Sequence, residues 1–270
     1  MPELPEVETI RRDLSGLIVG RKILGVESDS PKQVKPSLLK VRRGAVGTKI
    51  ESVKRRAKLL LIYLSNSKIL AVHLKLTGRL LVRQKGAPKD SWQHVTIVLS
   101  GDKELRFADL RKFGWIKLVG KKEIQKLLSE FGPEPLNDLD LKLFQKIVSS
   151  SRRAVKIVLM DQKKISGIGN IYACDALNLA KINPKRAASG LSPKEAESLY
   201  LAVGKVLKAG IKYRGASDQH YLDALGHKGA YQEHFLVYNR AGKNCFNCGG
   251  EIKKIKLGGR GTYVCPICQK

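Results

Sequence analysis

A chain of 270 residues can hold one large domain or two to three smaller ones, with a core of ordinary size. Its 51 Lys and Arg against 24 Asp and Glu leave a formal charge of +27, more than solubility requires, and point to a polyanionic partner, nucleic acid first. With no long apolar span, no anchoring amphipathic helix, and an acidic, proline-broken start unlike a signal peptide, no membrane partner is expected and a cytoplasmic protein is.

The chain begins Met1-Pro2-Glu3-Leu4-Pro5-Glu6. Methionine before a small residue is normally trimmed, which leaves Pro2 as a free secondary amine beside the Glu3 carboxylate. An α-amino group titrates near ~8 where lysine titrates near ~10.4, so more of it is nucleophilic at neutral pH. A secondary amine condensing with a sugar C1′ gives an iminium that stays cationic and serves as an electron sink for elimination. The same residues also suit an ordinary helix leader. From Pro5 to about Gly20, Val7, Ile10, Leu14, Leu17 and Ile18 recur at helical spacing, and Glu6 and Glu8 suit the positive end of that helix.

Eight β-type runs follow, at Lys22–Val26, Lys49–Lys54, Leu59–Leu64, Ile69–Leu74, Arg79–Arg83, Val95–Leu99, Glu104–Phe107 and Trp115–Val119. Their density indicates a sandwich or barrel. Arg55, Arg56 and Lys58 precede a buried strand, as a solvated rim would. At Phe131-Gly132-Pro133-Glu134-Pro135 the pattern turns to a linker and then to a helical period, Leu139, Leu143 and Ile147, then Val155, Val158 and Leu159.

The glycines of Gly167-Ile168-Gly169-Asn170 let backbone approach a ligand, and a helix starting near Asn170 offers N–H groups to a phosphate. Ser192-Pro193 starts a last helix, with Leu199, Val203, Val206 and Leu207 inward. The long stretch from Tyr213 to Tyr238 lacks periodicity and reads as a functional or disordered loop. Cys245-x2-Cys248-x16-Cys265-x2-Cys268 is a set of paired knuckles for one tetrahedral structural Zn2+. Around it seven Lys and Arg between Arg240 and Lys270 face one Glu, as in a DNA-facing module, while Cys174 reads as a buried thiol.

Taken together, Met1-Pro2-Glu3-Leu4-Pro5-Glu6-Val7-Glu8-Thr9, His73-Leu74-Lys75-Leu76-Thr77-Gly78, Asp109-Leu110-Arg111-Lys112-Phe113-Gly114, Ile165 through Ala173 and the four cysteines are similar to the motifs of one family. The chain resembles the bacterial formamidopyrimidine-DNA glycosylases over essentially its whole length. The resemblance implies a multidomain α+β fold. Residues 1–131 would be an N-terminal β-sandwich with a packed N-terminal helix, 132–235 a helix-two-turns-helix domain with a lesion-capping loop, and 236–270 a zinc-ribbon finger.

It also implies roles. Pro2 would attack C1′ of an everted nucleotide and Glu3 would protonate the sugar ring oxygen. Lys58 and Arg260 would assist the β- and δ-eliminations. Leu76 would be a wedge where the family usually has methionine, with Lys75 in place of a common glycine. Arg111 would face the unpartnered base, and Phe113 would enter the stack. His94, Arg152, Arg153 and Asn170 would touch phosphates. Asp175 stands where the family more often has glutamate, so a supporting polar contact is expected to be shorter or lost. The implied protein is a monomeric, nucleoid-associated glycosylase and abasic-site lyase for oxidised purines in double-stranded DNA. Two alternatives stay open, an endonuclease VIII-like enzyme for oxidised pyrimidines and a non-catalytic zinc-ribbon binder of nucleic acid.

Overall fold

The alternating runs of the first 120 residues form two sheets, and the computed structural model describes all of residues 1–270. One sheet has the order β1 (Ile23–Ser28), β7 (Gln93–Leu99), β8 (Lys103–Asp109), β6 (Gly78–Gln84). The other has the order β2 (Val34–Lys35), β9 (Trp115–Val119), β5 (Ile69–His73), β4 (Leu59–Leu64), β3 (Ile50–Arg56). All neighbours are antiparallel except β2 and β9. In β7, Gln93, Val95, Ile97 and Leu99 are buried and the residues between them are half-buried, the pattern of a sheet with one face on a core.

Two helices seal the open sides of this sandwich. Helix α1 (Leu4–Leu17) packs on the edge strand β3, on β4 and on the edge strand β6. Helix α2 (Leu38–Ala45) packs on β1, β2 and β9, at the opposite edges. Sheet edges are thus covered by apolar helix faces instead of presenting unpaired backbone. Val7, Ile10 and Leu14 of α1 and Val41 and Ala45 of α2 join the shared core of both sheets.

Helix α2, strand β2 and helix α3 (Lys121–Leu128) are absent from the sequence expectations. Each is short, and α2 mixes its few apolar positions with Lys40, Arg42, Arg43 and Gly44. The expected strands are all present, several of them longer by one to three residues, because pairing runs on through polar residues such as Lys103 and Asp109 of β8.

The chain parts into two compact units, Met1–Ser129 with Tyr213–Ala230, and Glu130–Lys212 with Tyr231–Lys270. The second contains α4 (Leu141–Ser149), α5 (Val155–Met160), α6 (Asn170–Leu179), α7 (Pro193–Lys212) and a hairpin of β10 (Lys253–Leu257) and β11 (Arg260–Val264). In α4 the fully buried side chains are Phe144 and Val148, while Leu143 and Ile147 are half-buried beside them. Asp140 caps that helix by accepting the Leu143 N–H, so Leu139 is buried ahead of the helix. Helix α6 is buried from Ile171 through Asn178, which makes it the centre of the unit. No helix is long and apolar enough to cross a membrane.

Candidate active site and metal centre

The head of α1 is held by its own acids. Pro2 and Glu3 are buried, Glu3 to 3% exposure, and Glu6 Oε2 accepts the Glu3 N–H at 2.8 Å. Prolines at the start and an acid three residues after the N-cap suit a helix beginning here. The second Glu6 oxygen accepts the Ala216 N–H at 2.8 Å, so the segment Tyr213–Ala230 is pinned beside the N-terminus. Arg214 anchors the base of that segment between Asp13 at 2.7 Å and Asp223 at 2.6 Å. Burial works against the Arg214 charge, but the two carboxylates more than offset it and raise its pKa. Ser217 Oγ donates to Tyr221 O and accepts the Gly229 N–H, closing the segment on itself.

Lys58 lies in the turn between β3 and β4, 5% exposed, after Ala57 in the left-handed region at φ 53°. A relay fixes this turn against α1. Glu8 binds Arg55 at 3.2 Å, and Arg55 donates to Ala57 O at 2.8 Å. Burial would raise the Glu8 pKa, yet hydrogen bonds from Arg11 and Arg12 and the charges of Arg11 and Arg55 pull it to about 2. His73, opposite Leu59 in the ladder, is pushed down to about 3 by burial and by the charges of Lys75 and Lys58, so it is neutral.

The connections β5 to β6 and β8 to β9 both cross from one sheet to the other, and the ladder pairs Gly78 with Asp109 and His73 with Trp115. Two loops therefore emerge side by side. The first carries exposed Lys75 and half-buried Leu76; the second carries exposed Arg111 and Phe113, with the Arg111 guanidinium 5.0 Å from the Phe113 ring centre. Gly114 is obligatory, since a Cβ there would sit 2.9 Å from the His73 carbonyl. Buried Asp109 accepts from Thr77 Oγ1 and the Arg111 N–H on one oxygen, and from Gly114 N–H and Gln33 Nε2 on the other. The other end of the Gln33 amide, Oε1, is buried without a partner, a cost of about 1–3 kcal/mol borne to keep a donor on Asp109. His94, the remaining predicted site residue of this unit, sits on β7 with Nδ1 2.8 Å from Asp29 Oδ1.

In the second unit Asn170 is the first residue of α6, after N-cap Gly169. Lys156, fully buried, donates to Asn170 Oδ1 and to Thr262 Oγ1, both at 2.6 Å, while Asn170 Nδ2 donates to Gly261 O at 2.9 Å. The hairpin turn at Gly258 and Gly259, φ +56° and +74°, leaves Arg260 exposed just beyond it. Arg152 is exposed; Arg153 is exposed too but bound to Asp161 at 2.8 Å. Asp175 is buried and hydrogen-bonded: its Oδ1 accepts the N–H groups of Val237 and Tyr238, and its Oδ2 accepts the Tyr231 hydroxyl.

The four knuckle sulfurs lie within 4.8 Å of one another, with Cys248 to Cys265 at 3.5 Å and Cys245 to Cys268 at 3.9 Å. A tetrahedral ZnS4 site with bonds near ~2.3 Å has edges near ~3.8 Å, so the donor set fits and leaves no coordination position open. Cys174 is buried in the adjoining apolar cluster with Val237, Ile252 and Tyr263.

Of the residues at these sites, Glu6, Gln33, Asp109 and Lys156 escape the sequence expectations as contributors. Only Glu6 left a readable signal, the acid three residues after a helix N-cap.

Three family profiles cover most of the chain: "Formamidopyrimidine-DNA glycosylase N-terminal domain" over residues 1–116, "Formamidopyrimidine-DNA glycosylase H2TH domain" over 131–221, and "Zinc finger found in FPG and IleRS" over 242–270. The formamidopyrimidine-DNA glycosylase of Pelotomaculum thermopropionicum is 46% identical, covering 100% of this chain and 99% of that protein. That of Carboxydothermus hydrogenoformans is 44% identical over 100% of both. Among solved structures, Lactococcus lactis Fpg in complex with an abasic site containing DNA superposes with a TM-score of 0.94 at 36% identity, over 99% of each chain. A Lactococcus lactis G226P mutant with a Fapy-dG containing DNA gives 0.94 over 100% of each. The chain carries one structural zinc on Cys245, Cys248, Cys265 and Cys268. Agreement in all three segments, in fold and in full-length identity means that the chain belongs to the formamidopyrimidine-DNA glycosylase family.

Proposed function

We propose that Pro2, once Met1 is removed, is the nucleophile of a base-excision repair glycosylase and abasic-site lyase acting on oxidised purines in double-stranded DNA. The observation that carries this reading is the buried Pro2–Glu3 pair at the head of α1, with its backbone fixed by Glu6, in a chain of this family. A fixed amine costs little reorganisation when it attacks.

The Pro2 nitrogen attacks C1′ and the base leaves with the bonding pair and takes up a proton. Glu3 gives a proton to the ring oxygen as the C1′–O bond opens, and an iminium remains. Loss of the 2′ proton expels the 3′ phosphate, loss of the 4′ proton expels the 5′ phosphate, and water then releases the amine. Lys58 and Arg260 assist these eliminations through phosphate. Leu76 and Phe113 fill the stack, Arg111 faces the unpartnered base, and Lys75, His94, Arg152, Arg153 and Asn170 hold the backbone. In this reading residues 1–131 carry the chemistry, 132–235 bind and cap the lesion, and 236–270 form the finger. The protein acts as a monomer at the nucleoid.

Borohydride reduction of a mixture reacting with an 8-oxoguanine duplex tests the reading. A stable crosslink mapped to Pro2 is expected. No crosslink with this duplex, but one with oxidised-pyrimidine duplexes, would move the substrate class, and none with any lesion would leave only a binding protein.

A further inference from the structure

We propose that Asp109 is a positioning residue that sets the Leu76 loop and the Arg111–Phe113 loop as one unit, so that the two enter DNA together. The inference rests on the reading of Leu76, Arg111 and Phe113 as the residues that occupy the stack.

The geometry points to it in three ways. Strand pairing brings the two loops out beside each other, with Gly78 opposite Asp109 and Trp115 opposite His73. Each loop then contains one non-glycine residue in the left-handed region, Lys75 at φ 52° and Lys112 at φ 54°, a conformation that persists only where surroundings enforce it. One buried group touches both loops. Asp109, 1% exposed, holds the hydroxyl of Thr77 from the first loop and the N–H groups of Arg111 and Gly114 from the second. The Arg111 N–H also reaches Thr77 Oγ1 at 3.2 Å, closing a triangle among the three residues. Gln33 Nε2 backs the carboxylate from below and donates to Gly114 O at 3.2 Å.

Neither Asp109 nor Thr77 is exposed, so their effect on DNA must pass through the side chains they hold. Thr77→Val keeps the shape and removes the hydroxyl that links Leu76's loop to the carboxylate and to the Arg111 N–H. Single-turnover excision of 8-oxoguanine should slow about fivefold to tenfold, since the Arg111 N–H keeps Asp109 as an acceptor and the net loss is that of about one hydrogen bond, while cleavage at a preformed abasic site stays near wild type. In a Leu76→Ala background the same substitution should add little, because the group it positions is gone. Asp109→Asn in a Phe113→Ala background should likewise cost less than Asp109→Asn alone.

If each pair instead multiplies in full, or if Thr77→Val slows both substrates equally, Asp109 is only a structural carboxylate and the inference is overturned. If Leu76→Ala and Phe113→Ala each excise at the wild-type rate, the reading beneath it fails as well. Thermal melting of every variant separates these outcomes from loss of fold, and Thr77→Val, which leaves no buried charge unpaired, is the variant expected to melt closest to wild type.

Discussion

Glu6 and Ala216, 210 positions apart in the chain, are joined by a 2.8 Å hydrogen bond from the Ala216 N–H to the carboxylate whose other oxygen holds Glu3. The segment Tyr213–Ala230 and the N-terminus thus share one acceptor. In Glu6→Gln an amide N–H2 must face one of the two backbone N–H groups, leaving a buried donor unmet. Stability should fall by about 1–3 kcal/mol, or a few degrees in Tm, with slower base excision. Unchanged melting and excision would show that the shared carboxylate does not couple the two segments.

Pro2 and Glu3 should separate in function. Pro2→Gly keeps an amine but makes it primary, so borohydride trapping should persist weakly while base release slows strongly. Glu3→Gln removes the proton donor and leaves the nucleophile, so excision should collapse by about 10²–10⁴-fold while some cleavage at preformed abasic sites survives. An N-terminal tag that blocks methionine removal should abolish both and spare DNA binding. Normal excision by the tagged protein would pass the nucleophile's role to another group, Lys58 first.

Salt should weaken binding steeply, since each neutralised phosphate releases counterions. Arg260→Ala and Arg152→Ala should each flatten the plot of log affinity against log salt by about one unit or less. Arg153→Ala should flatten it less, because Asp161 already holds that guanidinium at 2.8 Å. Equal slopes in wild type and all three variants would place the DNA on another surface.

Two carboxylates should mark stability against pH in opposite senses. Burial pushes Asp175 up to about 6, against the hydrogen bonds of Val237, Tyr238, Leu236 and Tyr231. A raised folded pKa means a contribution present below the unfolded value near ~3.9 and lost as pH rises through about 6, so the deficit of Asp175→Asn should shrink toward neutral pH. Glu8 is held at about 2, where the arginine contacts outweigh burial. Its contribution is present above the unfolded value near ~4.3 and lost as pH falls through about 2, so the deficit of Glu8→Gln should close in acid. Melts of each pair across pH that keep a constant gap would refute these assignments.

Cys245→Ser or Cys268→Ser should lose the zinc and with it DNA affinity, while the first unit stays folded, because a small ribbon has little core of its own. Full affinity in a metal-free protein would contradict this.

Period and spacing made much of this molecule legible. Strict alternation placed β7, helical spacing placed α1 and the inward face of α7, and paired cysteines announced the metal. What stayed hidden falls into two kinds. Helix α2 and strand β2 are too short to show a period and exist because open sheet edges need cover. Asp109 and Lys156 look like surface charges in the sequence, since only tertiary pairing supplies the donors or acceptors that let a charge be buried. Asp175 is of the second kind too, since its donors come from backbone 62 and 63 positions further on.

The buried ammonium of Lys156 turns the ribbon into more than a carrier of Arg260. It donates to groups from different places, Asn170 at the head of α6 and Thr262 in the hairpin that the metal-bound knuckles flank. Unravelling the hairpin would strip Lys156 of one acceptor, and Asn170 of its hold on Gly261. A chelator would then act at a distance, slackening the first turn of α6 without touching it. Metal occupancy and the order of that first turn would rise and fall as a single thermodynamic variable.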